Sequence, residues 1–223
     1  MTKTFLRGAV LAASLALAGA PAFAAQPFTA AYQANYMGMK ATGRMSIEPV
    51  GSGQWRYTLQ VRSQLGDLVQ TTVFDEANGG LRPLSGTDNA KLLIKKVNKK
   101  ANYDWSRGVA TWSGDVKPDR AGPVKLQAGD LDALLVNLAV ARDVAAGRPL
   151  RYRMVDDGKV RQLNYTIAGK EAVMVNGKSQ QATKVVSAVG EKPVTMWVVP
   201  GVPVPVRIMQ KNGGDTIELR IAQ

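Results

Sequence analysis

The sequence predicts a mainly β protein: a single strongly curved antiparallel sheet or half-open barrel with one α-helix over about 131–146. Three observations carry that prediction. Apolar and polar residues alternate over many short segments, the pattern of strands with one dry face and one wet face. Asn78-Gly79, Asp157-Gly158 and Asn176-Gly177 punctuate those segments, and such pairs suit tight hairpins because both residues accept positive φ. Only "GDLDALLVNLAVARDVAAGRP" carries apolar residues at helical spacing instead.

The chain opens with "MTKTFLRGAVLAASLALAGAPAFAA". Lys3 and Arg7 give a short positive region, an apolar stretch from Gly8 to Leu17 follows, and Ala22-Phe23-Ala24 supplies a small-x-small cleavage pattern. The expectation is a cleaved signal peptide over 1–24, then one β-rich periplasmic domain over 25–223. The apolar stretch is too short and alanine-rich for a stable span, so no transmembrane span is expected in the mature protein. The remaining 199 residues of the 223 suffice for a core without staples.

Strands follow almost at once. "FTAAYQANYMGMK" and "ATGRMSIEPV" flank Gly38 as an opening pair. In "QWRYTLQVRSQ", Trp55, Tyr57, Leu59 and Val61 alternate with polar residues. "DLVQTTVFDEANGGLRPL" adds a strand and a turn, and "NYDWSRGVATWSGDV" reads as two strands around Ser106-Arg107-Gly108. The helix places Leu131, Leu134, Leu135, Leu138 and Ala141 on one stripe. Asp130 is its expected cap, Asp132 favours the positive end of its dipole, and Gly147 with Pro149 ends it. "LRYRMVDDGKVRQLNYTIAG" is the clearest hairpin, with Leu150, Tyr152, Met154, Leu163, Tyr165 and Ile167 on its apolar face.

"AVMVNGKSQQATKVVSAV" supplies two more strands and "GGDTIELRIAQ" the last. Between them lies "TMWVVPGVPVPVRIMQ". A polyproline ligand is exposed and polar-flanked, whereas Trp197, Val198, Val199, Val206 and Ile208 bracket these prolines. Pro200-Gly201 is expected to turn the chain, with Pro203 and Pro205 at the entry or edge of a strand, where a missing donor does no harm, in a penultimate hairpin whose edge they guard. The total is about a dozen short strands.

Composition narrows the function. The chain has neither histidine nor cysteine, which removes Ser-His-Asp and Cys-His catalysis, thiol redox chemistry and the usual zinc ligands. Catalytic residues: none; metal: none; cofactors: none; the expected role is non-enzymatic. The carboxylate pairs Asp75-Glu76 and Asp156-Asp157 sit beside turns and read as turn chemistry, and Asp130 with Asp132 reads as capping. Taking Lys3 and Arg7 from the formal charge of +12 leaves about +10. For an exported chain that surplus either serves solubility alone or points to anionic lipid, glycan or an acidic envelope partner, rather than to nucleic acid.

Two sets of residues are binding candidates. Tyr32, Tyr36, Trp55, Tyr57, Leu59, Tyr152, Tyr165 and Trp197 are the inward side chains expected to line a cavity for a lipid or other amphiphile, or to fill the core. The run "KLLIKKVNKK" offers an anion-binding patch. On one extended strand Lys91, Lys95 and Lys99 would share a face, with Lys96 and Lys100 opposite. An exposed edge strand guarded by lysines accounts for the same run.

Several segments, in order, resemble the bacterial family of exported proteins known as domain of unknown function family 3108. They are "FTAAYQANYMGMKATGRMSI", "GLRPL", "NYDWSRGVA" with Tyr103 in place of phenylalanine, "AGDLDALLVNLAVARDVAAGRPLRYRMVDDGKVRQLNYTIAGKE" and the closing "MWVVPGVPVPVRI". "VMVNGKSQQATKVV" departs from the family's pattern, in which many members carry Thr-Pro before the glycine. The resemblance implies no activity and no catalytic residues. The closing segment is also similar to the last hairpin of periplasmic lipoprotein-carrier proteins, which implies by analogy a half-open barrel that holds acyl chains.

Overall fold

The computed structural model describes residues 25–36, 38–93, 95–187, 193–212 and 215–222, with the backbone alone at Tyr36, Asn212 and Asp215. The expected signal peptide lies outside the described residues. The strands are β1 (Phe28–Tyr36), β2 (Met39–Gly51), β3 (Gln54–Ser63), β4 (Gly66–Ala77), β5 (Gly80–Leu92), β6 (Lys96–Asp104), β7 (Val109–Gly114) and β8 (Val124–Lys125). Helix α1 (Ala133–Ala146) follows, then β9 (Arg151–Asp156), β10 (Lys159–Val175), β11 (Lys178–Ser187), β12 (Val194–Val198), β13 (Arg207–Asn212) and β14 (Asp215–Ile221).

These strands form one antiparallel sheet in the order β8-β7-β6-β5-β4-β3-β2-β1-β14-β13-β12-β11-β10-β9. Sequence neighbours pair everywhere except β8 and β9, which form the two edges, and the last strand returns beside the first through Tyr32↔Ile221 and Ala34↔Leu219. The sheet therefore coils back on itself and nearly closes into a barrel, with the predicted single helix inside. Alternating side chains explain why it curls: Tyr32, Met45, Ile47, Tyr57 and Phe74 face inward and are buried, while their sequence neighbours face water. Asn78, Asp157 and Asn176 all take positive φ, each followed by a glycine that does the same, so the three predicted turns form as the sequence indicated.

The gap between edge strands β8 and β9 is bridged rather than open. Leu131 pairs with β9: its amide donates to the Arg153 carbonyl at 3.1 Å, and its carbonyl accepts from the Val155 amide at 2.8 Å. The Tyr103 hydroxyl donates to the Val155 carbonyl at 2.9 Å, and Lys99 reaches Asp157 at 2.8 Å. A small cluster of Tyr103, Ala110, Trp112, Leu126 and Val155 packs under this seam.

The helix begins two residues later than predicted. Asp132, not Asp130, is the cap, because its side chain accepts the Leu135 amide at 2.8 Å. Asp130 instead accepts from the Gln127 amide at 2.8 Å and pairs with Arg153. Gly147 ends the helix with φ 64°, a left-handed conformation that glycine adopts without strain. Seven of its residues between Leu134 and Ala141 are buried, so the helix plugs the barrel on several sides rather than laying one stripe on a sheet.

Strand directions define two ends. The turns after β2 and β4, and the connection after β12, lie at one end, which the plug and its contacts close. There Arg142 of α1 pairs with Glu76 and its guanidinium donates to the Gly79 carbonyl at 3.3 Å. The Tyr32 hydroxyl donates to the Pro205 carbonyl at 2.9 Å, which ties the proline-rich connection across this end. Pro203 and Pro205 lie at the entry to β13, as one of the two expectations has it; the other, prolines guarding an edge, is corrected. β12 and β13 are interior strands with partners on both sides, and Pro203 and Pro205 lie between them rather than on an edge.

Candidate functional site

Pairing register reveals a row of inward residues that crosses most of the sheet above the plug. It runs Ile167–Val185–Met196–Ile208–Leu219–Ala34–Ala41, each pair directly opposite. A second run continues it from Gly43 through Val61, Leu68 and Ala90 to Val97. All are apolar. Val185 and Met196 are buried, whereas Val61, Leu68, Ala90, Val97, Ile208 and Leu219 are only half-buried and Ile167 is 64% exposed. Residues two or more inward positions nearer the closed end, such as Tyr57, Phe74 and Leu81, are buried against the core. Burial thus falls along successive strands toward the same end, and leaves an apolar trough there.

The trough turns polar beside the seam. The row Met45–Leu59–Gln70–Asp88–Lys99 changes from apolar to charged as it approaches β6. Asp88 and Lys99 there face Asp132 at the helix start, Asp156 at the end of β9 and Asp157 in the turn after it, across a cleft of about 40 Å³. That volume holds a few waters at most, well short of a substrate-sized pocket. Burial is the main cause that raises the Asp132 carboxyl to about 7, opposed by hydrogen bonds from Thr72 and the Leu135 amide; Asp156 and Asp88 raise it further. Burial likewise raises Asp156 to about 6, with Asp88 and Asp157 adding to the rise. Both oxygens of Asp132 are engaged, one by the Thr72 hydroxyl and one by the Leu135 amide. It is therefore fixed as a cap, and Asp88 and Asp156 are the carboxylates that face the cleft. Among the described residues no group of three acidic side chains has the geometry to hold a metal ion.

The aromatic candidates are mostly in the packed half. Tyr32 and Tyr57 are buried, and the Tyr57 hydroxyl lies 3.3 Å from the Met45 sulfur. Tyr152 and Tyr165 meet edge-on at 6.2 Å, and the Tyr152 hydroxyl donates to Asp143 at 2.9 Å. Leu59 is buried and Trp55 half-buried, both against the same core. The side chain of Tyr36 lies outside the described residues. Trp197 is a correction. Its register partner Arg207 faces outward with Arg220, so Trp197 also sits on the outer face. It is buried there by Arg207 at 4.2 Å and Lys184 at 5.3 Å from its ring centre, while its Nε1 donates to Glu171 at 3.0 Å.

The lysine run also requires correction. A turn after Leu92 splits it between β5 and β6, so Lys91 sits opposite Lys96 rather than sharing a face with Lys95 and Lys99. Lys99 points inward to Asp157. The edge-strand alternative holds only at the start of β6: Lys96 pairs with β5 alone, whereas from Lys99 onward β6 pairs with both β5 and β7. Sequence reading missed the small aliphatic residues of the trough and the acidic seam. Its available signal was alternation extending to the ends of β4 to β6, but alternation does not say which inward positions the helix covers.

The family model described as protein of unknown function (DUF3108) matches residues 31–220 of the chain. No curated protein matches it.

Proposed function

The chain belongs to the DUF3108 family of proteins of unknown function, and from that premise we propose that it binds a lipid or similar amphiphile along the open half of its concave face. The role is non-enzymatic and is exercised in the periplasm. The carrying observation is the set of inward apolar residues left half-buried above the helix, Val61, Leu68, Ala90, Val97, Ile208 and Leu219, since exposed apolar surface gathered on one face of a folded chain marks a place where something apolar docks. Ala34, Ala41, Ala90 and Val97 supply small side chains there, which leave depth beside the sheet for a flexible chain. Gln70, Asp88 and Lys99 supply polar groups at the seam for the wet end of the same molecule.

The test is gentle purification of the protein from its native source, followed by native mass spectrometry and solvent extraction. A bound amphiphile is expected with the wild type, and Ala34→Trp combined with Ala90→Trp is expected to lose it while retaining a cooperative thermal transition. A wild-type protein that carries no amphiphile, and takes up none when offered a mixed lipid extract, would falsify the proposal.

A further inference from the structure

Among the described residues seven large apolar side chains are exposed, and five of them gather at the turns of the open end. These are Met39 beside the β1–β2 turn, Leu65 between β3 and β4, Leu92 and Leu93 between β5 and β6, and Val160 beside the β9–β10 turn. Leu93 is 76% exposed. The Leu93 amide donates to the Leu65 carbonyl at 3.1 Å, which joins two of the turns into one surface. Exposed Lys40, Lys91, Lys95, Lys96 and Lys159 stand around them. The acidic residues among these turns are Asp67, opposite Lys91 and Arg62 in register, and Asp156 and Asp157 at the β9–β10 turn, where Asp157 is paired with Lys99 and Arg120.

Apolar tips ringed by cations match one partner chemistry. The tips can enter the region between headgroups and acyl chains, while the lysines meet negative headgroups. A neutral partner gives the lysines nothing to neutralise, and a purely polar anion gives the leucines nowhere to go. We propose that the open end is a docking rim for an anionic phospholipid bilayer, with the β5–β6 hairpin as its leading tip. Docking in this way places the mouth of the trough against the membrane. The rim stands whether or not the trough carries an amphiphile, because its residues lie on the turns outside it.

The experiment is co-sedimentation of the purified protein with vesicles of phosphatidylcholine alone and of equimolar phosphatidylglycerol and phosphatidylcholine. Binding is expected to the anionic vesicles, weakening as salt is added. Leu93→Asp is expected to lower that binding about tenfold, and Lys95→Glu with Lys96→Glu by about tenfold or more. Met174→Asp, an exposed apolar position at the closed end, is expected to leave it unchanged. The proposal is overturned if the wild type sediments with neither vesicle, if Leu93→Asp binds like the wild type, or if Met174→Asp loses as much. A dimer that Leu93→Asp dissociates, in a protein that ignores vesicles, assigns the rim to self-association and overturns it equally. Amphiphile bound to the purified protein is read separately by native mass spectrometry. Failure at the rim and failure in the trough are therefore distinguishable.

Discussion

The two halves of the barrel are built from the same strands and differ in what meets their inner face. In the closed half, Tyr57, Phe74, Leu81 and Tyr152 pack against α1 and are buried. In the open half, Val61, Leu68, Ala90 and Leu219 follow the same inward alternation yet stay half-buried. Alternation decides which way a side chain points; the reach of the helix decides whether it is covered. The strands alone thus do not separate a core from a binding face. The plug does, and its start at Asp132 marks the boundary.

The largest effect expected across that boundary is on stability. Phe74→Ala, a deletion in the filled half, is expected to cost about 3–5 kcal/mol, because the cavity it leaves cannot collapse. Leu68→Ala, in the open half, is expected to cost about 1 kcal/mol, since less area leaves water there on folding. Denaturant unfolding of both variants checks this, and equal costs would mean that the open half is as packed as the closed one.

The boundary itself should respond to pH. Asp132 titrates at about 7 and Asp156 at about 6 in the folded protein, against an ordinary value of 3.8. Between about pH 4 and those values the folded chain holds protons that the unfolded chain has released, so their contribution to stability falls as pH rises through that window. Asn keeps an acceptor for the Leu135 amide and removes the ionisation. Asp132→Asn is therefore expected to match the wild type near about pH 4 and to be more stable by on the order of a few kcal/mol near about pH 8. Thermal melts across that range test it, and a gap that does not widen with pH would remove Asp132 from the account.

The smallest effect on stability is expected from Ile167→Ser, which changes the open half at a position already 64% exposed. It should shift unfolding by less than about 0.5 kcal/mol. It should nevertheless reduce any bound amphiphile, and loss of stability without loss of ligand would invert the comparison between the halves.

Much of this was legible in the residues. Alternation in "QWRYTLQVRSQ" and the Asn-Gly and Asp-Gly pairs located strands and turns because both are local matters of backbone geometry. The lysine run shows the limit. Leu92 and Leu93 carry no Gly, Pro or Asn to announce a turn, so "KLLIKKVNKK" reads as one strand although it bends back on itself. Asp156 likewise reads as half of a turn pair. Only the seam between the ends of the sheet brings it to Asp88 and Asp132, residues distant from it in sequence. Trp197 reads as inward because its neighbours are all apolar, while register sets it outward under Arg207.

The sequence by itself determined a mainly antiparallel β fold, the single helix and its stop at Gly147, and the absence of histidine and cysteine chemistry. Those follow from period, turn propensity and composition, which act over a few residues or none. Tertiary structure decided the barrel's near closure, which half of its interior the helix fills, and which charges face one another across the seam. These depend on pairings between residues far apart in the chain, where loop closure, register and burial are settled together and no short window of sequence records the outcome.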